Sequence, residues 1–372
     1  MSRSRQDVVL SRVRNTTRSL AVFGAAGTGK SHLRDVIASL VPCIVLGPTG
    51  ISVISAANGM TVARFLGAQK GDNSIEALVA NFVPPRNLSA FTIVVDEISM
   101  MSPKELTALD QCLRKTCNPH RVCGGLRVIM IGDPLQLEPV DAPLFFFETD
   151  TFRNLVKAGL EVHVLGKNWR LDSNDEDIVD MATFMEDCRR GRLSTTSTSI
   201  IRYVLNRRRK PDDAVRLFAE NADVDAYNSK RFDAYPGLAV SHKGKEYKPG
   251  IPVIVVENNY DQNKLTCANG TVGVVDSVSS AGVVVKTAVG TIQFSRKAPV
   301  KYAWALTIAK AQGLTLPAVV VSGKGLHHAG QAYVAISRVR RLADLYGEDL
   351  TADNFTVPCA PALNAFKIKY GL

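Results

Sequence analysis

The chain has no long apolar run. Its longest apolar stretches, 251–256 and 318–321, are far shorter than the roughly 20 residues a helix needs to cross a bilayer, so no membrane partner is expected. The opening segment, MSRSRQDVVLSRVRN, is basic and lacks an apolar h-region, so no secretory signal is expected there. Close cysteine pairs are also missing. The seven cysteines are odd in number and scattered, which argues against a disulfide framework and fits thiols that pack in a reducing compartment. A soluble intracellular protein is expected, nuclear or cytoplasmic. No internal repeat recurs at a fixed period.

What is present is ordinary for a globular chain, with 46% hydrophobic and 22% charged residues. A length of 372 residues allows two or three domains with sizeable cores. The net charge of +10 fits either a polyanionic partner or a generally basic surface. The basic run at 207–210 reads as a solvated face.

Short apolar runs at 20–23, 44–46, 91–95, 128–131 and 162–165 read as strands, with helical patterns at 31–40, 103–115 and 150–158 among them. Such alternation builds a parallel sheet covered on both faces. A similar pattern starts near 166. It is interrupted at about 238–296 by GIPVIVV, NGTVGVV, AGVVVKT and GTIQF, the texture of a small antiparallel, barrel-like insert. Beyond it, 301–313 reads as a helix, 316–321 as a strand and 330–341 as a helix. The polar stretch STTSTS at 194–199 reads as a loop.

Residues 24–31, GAAGTGKS, follow a strand and open a helix, and they match the phosphate-loop pattern G-x-x-x-x-G-K-[ST]. Glycines let backbone N–H groups turn in on a phosphate, and the helix aims its positive end at the same anion. Lys30 reaches the β- and γ-phosphates, and the Ser31 hydroxyl suits Mg²⁺. In TIVVDEIS, at 92–99, an apolar strand ends in two acids. Asp96 is expected to hold Mg²⁺, and Glu97 to position and deprotonate the attacking water. In VIMIGDPLQLEPV, at 128–140, a further strand delivers Gly132, Asp133 and then Gln136, an amide suited to the γ-phosphate and the water.

In this order the motifs resemble superfamily 1B helicases, and within them the Pif-type family of the Pif/RecD-like group. The resemblance runs from about Gln6 to Tyr346. Its carriers are QDVVLSRVRNTTRSLAVFGAAGTGKS, GPTGISVISAANGMTVARFLG, DEISM, LDQCLRK, RVCGGLRVIMIGD, KNWRLDSND, RLFAENADVDAYN, the IPVIVVENN and CANGTVGVV segments, YAWALTIAKAQGLTL and YVAISRVRRL. The family usually has His where Ala63 and Ala309 stand, and Pro where Glu138 stands. Long flanking regions are missing, so a catalytic core is expected.

The resemblance implies an α/β fold with two RecA-like lobes. Lobe 1A would cover 1–165 with a small 1B wedge at about 68–90, lobe 2A would cover 166–237 and 297–372, and an SH3-like 2B insert would cover 238–296. It implies ATP and Mg²⁺ as cofactors, with ATP held by Gly24, Ala25, Ala26, Gly27, Thr28, Gly29, Lys30, Ser31 and His32 and the adenine read by Gln6. Arg170 and Arg338 would be arginine fingers from the second lobe, and Gln312 and Gly313 would lie at the face between lobes. Pro48, Thr49, Thr61, Arg64, Phe65, Thr307 and Lys310 are the strand-contact candidates, with Phe65 either stacking on a base or filling a core.

The activity implied is ATP-driven 5′–3′ translocation on single-stranded DNA with unwinding of tailed duplexes, by a chain monomeric without DNA. An RNA helicase of the viral superfamily 1 type and an ATPase that does not unwind are the alternatives. Cys112, Cys117, His120 and Cys123 lack a C-x2-C knuckle, so zinc is not expected there. Excision of 238–296 is expected to leave a foldable ATPase, and KGKEYKPG, at 243–250, to add phosphate contacts.

Overall fold

The computed structural model describes residues 5–56, 58–69, 71–137, 144–207, 209–261, 264–288 and 290–372. Glu138, one of the departures noted above, lies outside them. No helix among the described residues is long and apolar enough to cross a membrane. The chain forms two compact units, Met1–Arg189 with Pro358–Leu372, and Arg190–Val357.

The first unit is built on six parallel strands: β1 (Leu20–Gly24), β2 (Cys43–Gly47), β3 (Gly59–Thr61), β4 (Thr92–Val95), β5 (Val128–Gly132) and β6 (Glu161–Leu165). Their order across the sheet is β3-β2-β4-β5-β1-β6. β1, β2, β4 and β5 are buried along their whole length, which is why they read as continuous apolar runs and not as alternation. The three-residue β3 gives no such run and escapes a sequence reading. Ala21 on β1 lies opposite Met130 on one side and Val162 on the other, so β1 is central to its neighbours' register.

The helix Pro103–Thr116 starts on a capping box, with Ser102 and Glu105 bonded reciprocally. The segment at about 68–90 packs on that helix. Its helix Ile75–Asn81 places Leu78 in the core, and Lys115 Nζ donates to the Val79 carbonyl at 2.8 Å.

The two units divide the chain at other points than the expected lobes. Residues 166–189 and 358–372 belong to the first unit. The reason for the second is aromatic packing: Phe366 of the helix Pro361–Tyr370 stacks on Phe147 at 4.1 Å and meets Phe23 edge-on at 5.6 Å.

The second unit opens with the helix Thr195–Asn206, not a loop. Ser194 accepts from the Ser197 N–H, so the serine-rich stretch is a helix start. β7 (Val215–Phe218) follows, then a β-rich insertion. In it β8 (Val240–His242) pairs with β9 (Lys245–Tyr247), and β11 (Asn259–Asp261) with β12 (Lys264–Cys267). β10 (Pro252–Val255), β13 (Val272–Ser279), β14 (Gly282–Thr287), β15 (Gly290–Phe294) and β16 (Val300–Tyr302) form an antiparallel sheet of order β15-β14-β13-β10-β16.

The chain returns with β17 (Ala305–Thr307), β18 (Val319–Ser322) and β19 (Leu345–Glu348), which join β7 in a parallel sheet of order β17-β7-β18-β19. The stretch 301–313 is thus strand at 301–302 and 305–307, with a helix only at Ile308–Ala311, and the helix expected at 330–341 is limited to Gln331–Ile336. Burial explains the first: β17 is buried throughout, the signature of a parallel strand covered on both faces.

The insert shares a core with its host unit. Phe232 stacks on Tyr302 at 4.6 Å, and Trp304 lies in the same cluster. Lys248 is buried and donates to the carbonyls of Phe232 at 2.9 Å and Tyr235 at 2.7 Å, satisfying groups at the end of the helix Asn221–Ala234. Lys245 donates to Val300 O at 2.6 Å. Two of the three lysines of KGKEYKPG therefore hold the fold together, which corrects their reading as phosphate contacts. Lys243 alone among them is exposed.

Candidate nucleotide site

β1 ends at Gly24, and the loop after it is shaped by Gly27 and Gly29, with φ of +86° and +81°. L side chains rarely adopt that region. Space forbids them too: a Cβ at Gly27 would stand 2.4 Å from Asn168 Oδ1, and one at Gly29 2.6 Å from Gln6 Nε2. The buried Thr28 hydroxyl donates to Ala25 O at 2.8 Å and closes the turn. Lys30 Nζ donates to Gly24 O at 2.8 Å and Ala25 O at 3.0 Å, which lays its ammonium along the loop. The helix Lys30–Leu40 begins there with its positive end toward the loop, and Ser31 and His32 are exposed on its first turn.

Gln6 Nε2 donates to Thr28 O at 2.9 Å. Beside it opens a cavity of about 370 Å³ lined by Arg5, Gln6, Thr28, Leu165, Gly166, Lys167 and Trp169. Trp169 was not among the residues expected from sequence. Its backbone N–H donates to Gly27 O at 3.0 Å, and Lys167 Nζ lies 4.1 Å from its ring centre. Arg170 stands next to it, within the first unit. Its N–H donates to Asn168 Oδ1 at 3.1 Å, and its Cδ would be 3.1 Å from a Cβ at Gly27. The NWR triplet thus comes to the phosphate loop from the same unit.

The order β4-β5-β1 sets three strand ends side by side. At the end of β4, Asp96 is buried and Glu97 takes a left-handed backbone, φ 49° and ψ 46°, which is rare for a residue with a side chain and clusters at functional sites. Burial pushes the Asp96 carboxyl upward, against the pull of Arg34, the Glu97 N–H and Lys30. At the end of β5, Asp133 is fully buried. Burial opposes its charge, but Arg189 and then Lys30 outweigh it and hold the carboxyl below its usual range. Gln136 is buried behind it, with its N–H on Asp133 O at 3.1 Å.

The remaining candidates lie elsewhere. In the second unit Arg338 is buried, donating to Val334 O at 2.8 Å, Ala311 O at 3.2 Å, Leu314 O at 3.1 Å and Ser337 Oγ at 2.7 Å. The Ala311 and Leu314 carbonyls bracket the buried Gln312 and the exposed Gly313, whose φ is +82°, so Arg338 braces the turn that carries them.

Thr49, Thr61 and Thr307 all accept a backbone N–H at the start of a four-residue helix, from Ser52, Arg64 and Lys310 respectively. Pro48 is half-buried, and Arg64 and Lys310 are exposed, as are Ala63 and Ala309. Of the two readings of Phe65, the core holds: it is 5% exposed and packs on Phe82 at 5.3 Å. Cys112 and Cys123 are core residues of the first unit, and burial pushes the Cys112 thiol up to about 11.

Residues 3–199 match the family described as PIF1-like helicase. The ATP-dependent DNA helicase PIF1 of Homo sapiens is 27% identical, over 94% of this chain and 61% of its own length. The protein of the same name in Rattus norvegicus is 29% identical, over 88% of this chain and 58% of its own. The chain thus spans about three fifths of the length of these two relatives. Among solved structures, Pif1 helicase from Bacteroides in complex with ADP-AlF3 and ssDNA is 22% identical with a TM-score of 0.79, covering 100% of this chain and 97% of that one. Pif1 helicase from Candida albicans is 24% identical with a TM-score of 0.78, covering 100% and 99%. These likenesses establish the fold, and with more than half of its length matched, the chain belongs to the PIF1-like helicase family.

Proposed function

We propose that this chain is an ATP-dependent DNA helicase that moves 5′ to 3′ on single-stranded DNA and opens tailed duplexes. The observation that carries this reading is the convergence of a formed phosphate loop, an acid pair and a buried amide at the adjacent ends of β1, β4 and β5. Relatives named as ATP-dependent DNA helicases, and one solved with ADP-AlF3 and ssDNA, support both the nucleotide and the strand.

Lys30 would pair with the β- and γ-phosphates, and the cavity beside Gln6 would take the adenine. Glu97 would accept a proton from water as that oxygen bonds the γ-phosphorus and the bridging P–O bond to ADP breaks, with Gln136 orienting the water. The oxygen donors of Ser31 and Asp96 suit Mg²⁺, which when bound would neutralise phosphate charge. Arg170, beside Gly27, would stabilise charge on the γ-phosphate oxygens. Arg338 is kept as a residue of turnover by resemblance, as is the SH3-like reading of the antiparallel insert. Exposed Arg64 and Lys310 and half-buried Pro48 and Thr49 would contact the strand, and the protein would be a monomer without DNA.

Unwinding of duplexes carrying 5′ or 3′ tails, made of DNA or RNA, tests this. DNA with a 5′ tail should be opened only with ATP and Mg²⁺. Preference for RNA would favour the viral-type reading. ATP hydrolysis without strand displacement would reduce the chain to a stimulated ATPase.

A further inference from the structure

Arg34 stands one turn into the helix that follows the phosphate loop, and it is 4% exposed. A guanidinium has five N–H donors, and here each has a partner. Nη1 donates to Asp96 Oδ2 at 2.8 Å and to Ser52 O at 2.7 Å. Nη2 meets Ser55 Oγ at 3.1 Å and Asp35 Oδ1 at 2.7 Å, and Nε meets Asp35 Oδ1 at 2.9 Å. Asp96 is thereby held from two sides, by Arg34 on Oδ2 and by the Glu97 N–H on Oδ1 at 3.0 Å. A carboxylate offers about four acceptor directions, so two remain, in a plane that the guanidinium has set.

An ion pair placed for stability alone has little to recommend it. Desolvating two charges consumes most of what their attraction returns, and apolar residues of the same size do as well or better. This pair sits on the acid at the end of β4. Its other anchors, Ser52 and Ser55, belong to the stretch headed by Thr49, whose hydroxyl accepts the Ser52 N–H.

We propose that Arg34 is a positioning residue: it holds the Asp96 carboxylate in the setting that serves Mg²⁺ and ties that setting to the segment 49–55. The inference rests on the reading of Asp96 as the metal acid. A lysine in its place would reach fewer partners with a point charge and could not fork across them.

The test uses the full chain and four variants, Arg34→Met, Arg34→Lys, Ser55→Ala and Asp96→Asn. The probe is a fluorescent ADP, with Mg²⁺ titrated at fixed nucleotide, alongside steady-state ATPase kinetics and thermal melting. Loss of a partner that orients a metal-holding group typically costs about 10- to 100-fold in metal affinity or activity. Arg34→Met should therefore raise the Mg²⁺ midpoint of nucleotide binding about tenfold or more and lower kcat with KM for ATP little changed. Arg34→Lys should recover part of the loss, and Ser55→Ala should shift the midpoint the same way by less. A folded Arg34→Met with the wild-type midpoint overturns the inference. If that variant does not fold, wild-type midpoints in both Arg34→Lys and Ser55→Ala overturn it. Asp96→Asn separates the two readings. If it leaves the Mg²⁺ midpoint unmoved, the metal assignment of Asp96 fails. If it moves the midpoint while the Arg34 variants do not, only the positioning role fails.

Discussion

The buried guanidinium of Arg189 closes on the fully buried carboxylate of Asp133, with Nη2 3.0 Å from Oδ1 and Nε 3.3 Å from each carboxylate oxygen. Fifty-six positions apart, the two join the helix Glu176–Arg190 to the end of β5.

Removing one partner leaves an uncompensated buried charge. Arg189→Met should lower the unfolding free energy by about 3–5 kcal/mol in urea titrations, and the added change Asp133→Asn should recover part of it. The pH dependence follows from the sign of the shift. The Asp133 carboxyl is held below its usual range, so its contribution is present above the unfolded pKa of about 3.9 and fades as pH falls through the lower folded value. Asp133→Asn should flatten the acid limb of the stability curve. An unchanged limb would show that the pair contributes nothing to acid unfolding.

Lys30→Ala should abolish phosphate release while single-strand binding, read by fluorescence anisotropy, persists. Glu97→Gln keeps the shape and loses the base. It should bind nucleotide normally and hydrolyse it about 10²- to 10⁴-fold more slowly. Loss of nucleotide affinity with turnover preserved would count against the role of Glu97, and wild-type hydrolysis by Lys30→Ala would sink the loop assignment.

The two arginines should separate. Arg170 lies beside Gly27, so Arg170→Ala should lower kcat by about 10³-fold or more with nucleotide affinity and melting temperature little changed. Arg338 braces the turn around Gln312 and Gly313, so Arg338→Ala should lower both turnover and melting temperature. Normal turnover in both would refute the finger roles.

Excising 238–296 would cut β16 at Val300–Tyr302 from its sheet and uncover Phe232 and Trp304. The expectation of a foldable remainder is therefore reversed: the deletion should aggregate or lose cooperative melting, as seen by circular dichroism and gel filtration. Lys248→Met, which takes the ammonium from the carbonyls of Phe232 and Tyr235 at the helix end, should cost about 1–3 kcal/mol. A cooperatively folded deletion would show that the insert is a separate body.

Much of the first unit was legible before any coordinates. Four of its six strands are apolar runs because both faces of a parallel sheet are covered, and the phosphate loop can be read because its glycines answer to local dihedral demands. The start of the helix Thr195–Asn206 resembles a loop in sequence because the same serine and threonine hydroxyls that favour loops also cap helices.

Sequence alone, then, determined the order of motifs and the residues at the strand ends, since these depend on neighbours along the chain. Tertiary structure decided which core each late segment joins, that Phe65 is spent on Phe82, and that Lys248 seals a helix end. It also decided that Arg34 grips Asp96 and Arg189 grips Asp133. Those pairings link residues tens of positions apart, and no local periodicity records which buried charge will meet which.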